Sequence, residues 1–244
     1  MKKTAIIEAR MTSTRLPGKI LLPILGKPML ELLIERLQQA RQVDQIVVAT
    51  TTNSTDDCVE ELTRRLNVGC FRGSEDDVLE RVLQAAHVFD TDLIIEITGD
   101  CPLMDSGVVD HIIETYLKNS YDYVGNCLDR TYPRGLDVQV FSTRVLERVA
   151  QLTDDPVDHE HVSIYIYEHP QTFSIYNVSS GLPEKFREIR LTVDTREDFE
   201  LIRTIYESLY PKNPHFTLMD ILAFLDERRD LLELNKNIQQ KKVR

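Results

Sequence analysis

The chain has 244 residues, enough for one large α/β domain or two small ones with a sizeable core. Its 40 acidic residues outnumber 29 basic ones, giving a net charge of −11, which argues against a broad surface for nucleic acid or anionic lipid and leaves any anionic ligand to a local basic cluster. No apolar run reaches the length of a signal peptide or a membrane span, and Cys58, Cys70, Cys101 and Cys127 form no Cys-x-x-Cys pair, so we expect no nucleic acid or membrane partner and a reducing, cytoplasmic home.

Short apolar runs alternate with helical patterns, the mark of an α/β fold whose mostly parallel sheet is linked by crossover helices. Thr4–Ile7 reads as the first strand. A polar loop follows, then a helix over Met29–Leu37 opened by Pro28, where the missing N–H does no harm. Gln45–Thr50 is the second strand, and Ser54–Leu66 a helix with a Ser/Thr cap and with Asp56 and Asp57 favouring its dipole. Val68–Phe71 is a short strand; Ser74 to Asp77 repeats the start signal for a helix from Val78.

Leu93–Thr98 is the next strand, broken by Gly99-Asp100-Cys101-Pro102, and Ser106 caps a helix to Leu117. Beyond Tyr121 the rhythm loosens. Leu136–Phe141 and Phe173–Val178 alternate like half-exposed strands, which makes residues 121–188 a smaller inserted β subregion or lid. Ile189–Asp194 returns to strand character, a helix covers Phe199 to Leu209, and Thr217 caps a last one to Leu225. Gln239–Arg244 is polar and basic and is expected to fray. We find no repeat or linker and expect one domain over 1–244.

The chemistry concentrates in Ala9-Arg10-Met11-Thr12-Ser13-Thr14-Arg15-Leu16-Pro17-Gly18-Lys19, which sets Arg10, Arg15 and Lys19 directly after the first strand of an acidic chain. In open α/β sheets ligands bind beyond the carboxyl ends of the strands, so this loop suits a polyphosphate; a solvated loop with scattered ion pairs is the alternative. It matches neither the P-loop nor the dinucleotide fingerprint, which leaves the grip to side chains, arginine forks above all. Asp100 and Asp194 each follow a strand. If both strands lie parallel beside the first, the two carboxylates face the cationic loop and suit Mg²⁺ shared with substrate phosphates; capping of the next turn is the competing role.

With Thr98-Gly99-Asp100-Cys101-Pro102, Leu191-Thr192-Val193-Asp194-Thr195, Glu197-Asp198, Phe71 to Val78, Tyr132-Pro133-Arg134-Gly135-Leu136-Asp137 and Glu160-His161-Val162, that loop resembles the cytidylyltransferases that activate acidic sugars. The spore-coat polysaccharide type is nearest, the 3-deoxy-manno-octulosonate and acylneuraminate enzymes more distant. The resemblance implies a Rossmann-like, GT-A-like nucleotidyltransferase, commonly a homodimer. It would take CMP from CTP to an acidic sugar or related acceptor for surface polysaccharide, with release of pyrophosphate. It implies that Arg10, Arg15 and Lys19 meet the triphosphate, that Asp100 and Asp194 hold Mg²⁺, and that Ala9, Met11, Thr50, Thr51, Ser74 and Thr98 surround the nucleotide. Thr12 and Glu8 depart from the glycine and glutamine frequent in the spore-coat type.

Residues 121–188 are expected to meet the acceptor or a second subunit. Arg134 suits a carboxylate or phosphate, Asp137 a sugar hydroxyl or the metal, and His161 a substrate or subunit contact; a structural turn is the plainer role for Arg134. His159 and His161 lie two apart, a spacing that puts them on different helix faces and argues against zinc. The alternative reaction is that of a nucleotide-sugar glycosyltransferase of the same fold, but the Asp-x-Asp of Asp90-Thr91-Asp92 precedes its strand instead of following it. A non-catalytic nucleotide sensor would leave the cations and both aspartates unexplained. No general base is identifiable.

Overall fold

The first apolar run becomes the middle of a sheet, because Ala5, Ile6 and Ile7 are buried on both faces and need cover on each. The computed structural model describes residues 1–240. In chain order it contains β1 (Lys3–Glu8), β2 (Pro23–Ile24), β3 (Lys27–Pro28), α1 (Met29–Leu37), β4 (Gln45–Thr51), α2 (Asp57–Leu66), β5 (Gly69–Gly73), α3 (Val78–Val88), β6 (Leu93–Thr98) and α4 (Ser106–Leu117). Then come β7 (Tyr123–Gly125), β8 (Gln139–Ser142), α5 (Thr143–Ala150), α6 (Pro156–Glu160), α7 (Ile164–Glu168), β9 (Ile175–Asn177), α8 (Arg196–Leu209) and α9 (Leu218–Glu227). No helix among the described residues is long and apolar enough to cross a membrane.

Seven strands form one sheet in the order β5-β4-β1-β6-β8-β7-β9. The first four are parallel; β8 runs antiparallel to β6 and β7 antiparallel to β8, with β9 parallel to β7. The expected β subregion is therefore the antiparallel end of the main sheet, not a separate small sheet. Glu8 pairs with Ala49 on one side and Thr98 on the other, so the loops after β1, β4 and β6 open along one edge. Strand alternation divides the core. Ala5, Ile7, Val48 and Ile95 pack with side chains of α1, α4, α8 and α9, whereas Ile6, Val47 and Ile94 pack with those of α3 and α5. Each fully buried aliphatic side chain contributes about 1.5–3 kcal/mol.

Several expected boundaries move for physical reasons. Ile189–Asp194 is no sheet strand: β1 already has β4 and β6 on its two edges, and the segment makes only an isolated bridge between Arg134 and Arg190. It is fixed instead by Leu191 N to Arg134 O at 2.7 Å and Val193 N to Asp100 O at 2.8 Å. Gly135 permits that approach, since its φ is +98° and a Cβ there would lie 2.5 Å from the Leu191 carbonyl carbon. Leu136–Phe141 pairs only from Gln139, because the Asn126 side chain takes the Leu136 carbonyl and the Val138 N–H as a neighbouring strand would.

Helix starts shift too. Asp77 caps α3 and Asp105 caps α4, each one or more residues from the expected Ser74 and Ser106, while Thr195 and Thr217 form capping boxes with Asp198 and Asp220. Of the tail expected to fray, Gln240 is tied to Arg190 at 2.6 Å, and residues 241–244 lie outside the described part.

Candidate active site

A cavity of about 660 Å³ opens at the carboxyl edge of β1 and β6, and three distant stretches build its wall: Arg10, Arg15 and Lys19, then Thr98 and Asp100, then Asp194. Gly18, at φ 71°, sends its N–H back to the Met11 carbonyl at 2.8 Å and closes the loop. Lys19 is thereby turned inward and left only 8% exposed. Its Nζ donates to Asp100 Oδ2 at 3.0 Å, Asp194 Oδ1 at 3.0 Å and the Val193 carbonyl at 2.6 Å. Burial alone would lower the lysine pKa, but the two carboxylates raise it, so the group is a fixed cation.

Asp194 rests on a buried frame. Arg190 donates to Asp194 Oδ2 at 2.6 Å and to Asp198 Oδ1 at 2.9 Å. Asp198, fully buried, also accepts the N–H groups of Asp194 and Thr195 at 3.0 and 3.1 Å and the Asn235 amide at 2.9 Å. From the solvent side Arg15 reaches Asp194 Oδ2 at 2.8 Å. Across the cavity, the Thr98 hydroxyl donates to Asp100 Oδ1 at 2.7 Å. Burial would raise the Asp100 pKa, yet Lys19 and that hydroxyl hold it below the usual value, so Asp100 is ionised.

Asp100 and Asp194 thus converge on one cation although they lie on unrelated segments. Among the described residues no group of three His, Cys, Asp or Glu forms a metal cage. Two carboxylates on an open cavity are instead the donor set that lets Mg²⁺ complete its shell with water and phosphate oxygens. The ammonium between them shows that the pair accommodates a cation.

The other candidates divide. Ala9, Thr98 and His161 stand on the cavity wall. Met11 is a backbone element, its N–H bound to Asp56 Oδ1 at 2.9 Å. Thr50 and Thr51 are buried, and both hydroxyls donate to Asp56 Oδ2 at 2.8 and 2.7 Å, so they anchor the cationic loop's base and do not face the cavity. Asp56 stands at the start of α2 as expected and is also a buried junction: burial would raise its pKa, but the Thr51, Met11 and Thr50 donors lower it. Exposed Ser74 accepts the Asp77 N–H at 3.1 Å. His159 pairs with Asp77 at 2.8 Å, whereas His161 stands on the cavity wall.

Arg134 lines a second cavity of about 870 Å³, together with Arg130, Arg187 and Arg190, and among the described residues only Gln240 is common to both walls. Both oxygens of Asp137 are engaged by Arg130, at 2.5 and 3.1 Å. The Asp90-Thr91-Asp92 motif precedes β6 at the far end of the sheet, with Asp92 accepting the Lys2 N–H at 2.7 Å. Sequence reasoning missed Arg190, Arg81, Glu8 and Glu96 as parts of the site. Glu96 carried a usable signal, an acid inside the otherwise apolar strand Leu93–Thr98.

The cytidylyltransferase family matches residues 4–240. The chain is 33% identical over 236 residues to the spore coat polysaccharide biosynthesis protein SpsF of Bacillus subtilis, covering 92% of this chain and 94% of that protein. It is 26% identical over 242 residues to the 3-deoxy-manno-octulosonate cytidylyltransferase of Geobacter metallireducens, covering 88% of this chain and 94% of that one. A solved cytidylyltransferase of Leptospira borgpetersenii superposes with a TM-score of 0.90 at 32% identity, over 99% of this chain and 100% of the other. With the cationic loop and the convergent aspartates in place, the chain belongs to the cytidylyltransferase family.

Proposed function

We propose that the protein transfers CMP from CTP to an oxygen of an acidic sugar or related acid, with release of pyrophosphate, in the assembly of a surface polysaccharide, and that Asp100 and Asp194 hold Mg²⁺ for that reaction. The observation that carries this reading is the Lys19 ammonium, 3.0 Å from each aspartate on a wall that also bears Arg10 and Arg15. The relatives support the acceptor class: one serves spore coat polysaccharide synthesis and another is named for 3-deoxy-manno-octulosonate.

The reaction forms a bond from the acceptor oxygen to the α-phosphorus and breaks the bond to the β-phosphate. Charge accumulates on the departing pyrophosphate, and preorganised cations stabilise it where it develops. Lys19 and Arg15 rest on the aspartates in the free protein, and the phosphates give both cations new acceptors. Mg²⁺, when bound, polarises a phosphoryl oxygen. Arg134 recognises the acceptor's carboxylate: its half-buried guanidinium has no carboxylate partner among the described residues, and burial and the neighbouring Arg130 both lower its pKa, a strain an anion relieves.

The test is pyrophosphate release from CTP and candidate sugar acids in the wild type, Asp100→Asn and Asp194→Asn. We expect losses of at least about a hundredfold in kcat; full turnover in both variants would remove the metal assignment. Arg134→Met should raise KM for the acid about tenfold while KM for CTP holds.

A further inference from the structure

We propose that the Arg134 cavity contains a subsite for a second anionic group, built on Arg187, so that the acceptor is a sugar acid bearing two acidic groups; this rests on Arg134 holding the acceptor's carboxylate. The second group is a phosphate ester or another carboxylate, set farther along the molecule. At about 870 Å³ the cavity lies within the range of pockets that enclose ligands of that size. Six of its lining side chains are basic and two acidic, in a chain whose net charge is −11.

Most of those cations already have an acid. Arg130 grips both oxygens of Asp137, and Arg190 is bound to Asp194 and Asp198. Lys185 bonds both oxygens of Asp226 at 2.9 Å, and Lys236 reaches Glu233 at 3.1 Å. Two guanidiniums remain, those of Arg134 and Arg187. Arg187 makes one ion pair among the described residues, across 3.8 Å to a Glu184 side chain that is 87% exposed, and a surface pair of that length holds it weakly. Its Nε is shielded from solvent and has no partner among the described residues, a donor that a ligand anion would satisfy.

The two guanidiniums belong to different ends of the wall. Arg134 is bridged to Arg190, whose own guanidinium holds Asp194, so a carboxylate on Arg134 lies toward the aspartates. Arg187 follows the short turn Glu184–Phe186, which Lys185 ties to Asp226 on α9. An anion on Arg187 therefore lies toward α9, away from the reacting end. Arginine at both positions suits groups with paired oxygens, carboxylate or phosphate, which its planar fork binds two at a time. An uncharged sugar tail would leave the buried Nε unanswered.

The experiment measures calorimetric binding of four probes, paired so that the members of each pair differ by one acidic group: 3-deoxy-manno-octulosonate with its terminal phosphate ester, and gluconate with glucarate. In the wild type the doubly acidic member of at least one pair should bind at least about tenfold tighter than its partner, and a gain confined to one pair names the second group as phosphate or carboxylate. Arg187→Met should bring that ratio to about one, whereas Arg134→Met should weaken both members and keep it. Each ratio is taken within one protein, so a loss of folded fraction cancels. No gain in either pair, or a gain that survives Arg187→Met, overturns the proposal. An Arg134→Met protein that binds every probe as the wild type does overturns the carboxylate reading beneath it, an outcome distinct from the first two.

Discussion

The cationic loop and the segment bearing Asp194 meet in one cavity but are built in opposite ways. Arg15 keeps 37% of its side chain exposed and is held by one ion pair among the described residues, and the loop's own backbone is closed mainly through Gly18 and Met11. Arg190, Asp194 and Asp198 are 8%, 6% and 0% exposed and brace one another with charge-assisted bonds. The cations must exchange one anionic partner for another during turnover, whereas the acids must stay where they are. Mobility is given to the groups that follow the ligand and rigidity to those that position it.

Breaking the frame should have the largest effect. Arg190→Leu strands Asp198 as a buried, uncompensated charge, and we expect about 3–5 kcal/mol of lost stability in urea unfolding, with activity lost alongside. If the loss is instead below about 1 kcal/mol, the contrast between frame and loop does not hold. Lys19→Met should leave folding closer to normal, because it relieves a buried charge while unpairing two acids. It should lower kcat by about 10²–10³, measured by pyrophosphate release.

A third test uses pH. Burial pushes the Glu8 carboxyl up to about 7, against the pull of Arg81, in a setting that also includes Glu96 from β6, Arg10 from the loop, and Asp100. The folded protein therefore binds this proton more tightly than the unfolded chain, so stability from this group is present below pH 4.5 and declines as pH rises from 4.5 to about 7. The decline should not exceed about 3 kcal/mol, and Glu8→Gln should remove it. Urea midpoints at pH 5 and 8 in both proteins measure the difference; identical slopes would refute it. The smallest effect is expected for Lys185→Ala, whose exposed, solvent-screened pair with Asp226 should leave the urea midpoint nearly unchanged.

The parallel half of the fold was legible because its strands are short apolar runs between capped amphipathic helices, and β1, β4 and β6 fall within a residue or two of their expected bounds. The three site stretches were legible because cations and aspartates stand out after apolar strands. What pairing decides was not. Leu191 and Val193 are apolar enough for a strand, but the edge they would need is already filled, and the alternation cannot show that. Thr50 and Thr51 sit at the right height along β4 for a ligand, yet their hydroxyls turn to Asp56, a contact set by where α2 begins. The partnership of Glu8 with Glu96 depends on the lateral placement of β1 beside β6, invisible to a linear reading.

Gln240 stands where the two cavities meet: its amide oxygen holds Arg190 Nη1 at 2.6 Å, and it lines both. The charged Arg190–Asp194 pair also stands between the two cavities, so trimming Gln240 to alanine would widen their junction without stripping a charge from the aspartate frame. Variants at this one position offer a route to bulkier or longer acids as acceptors.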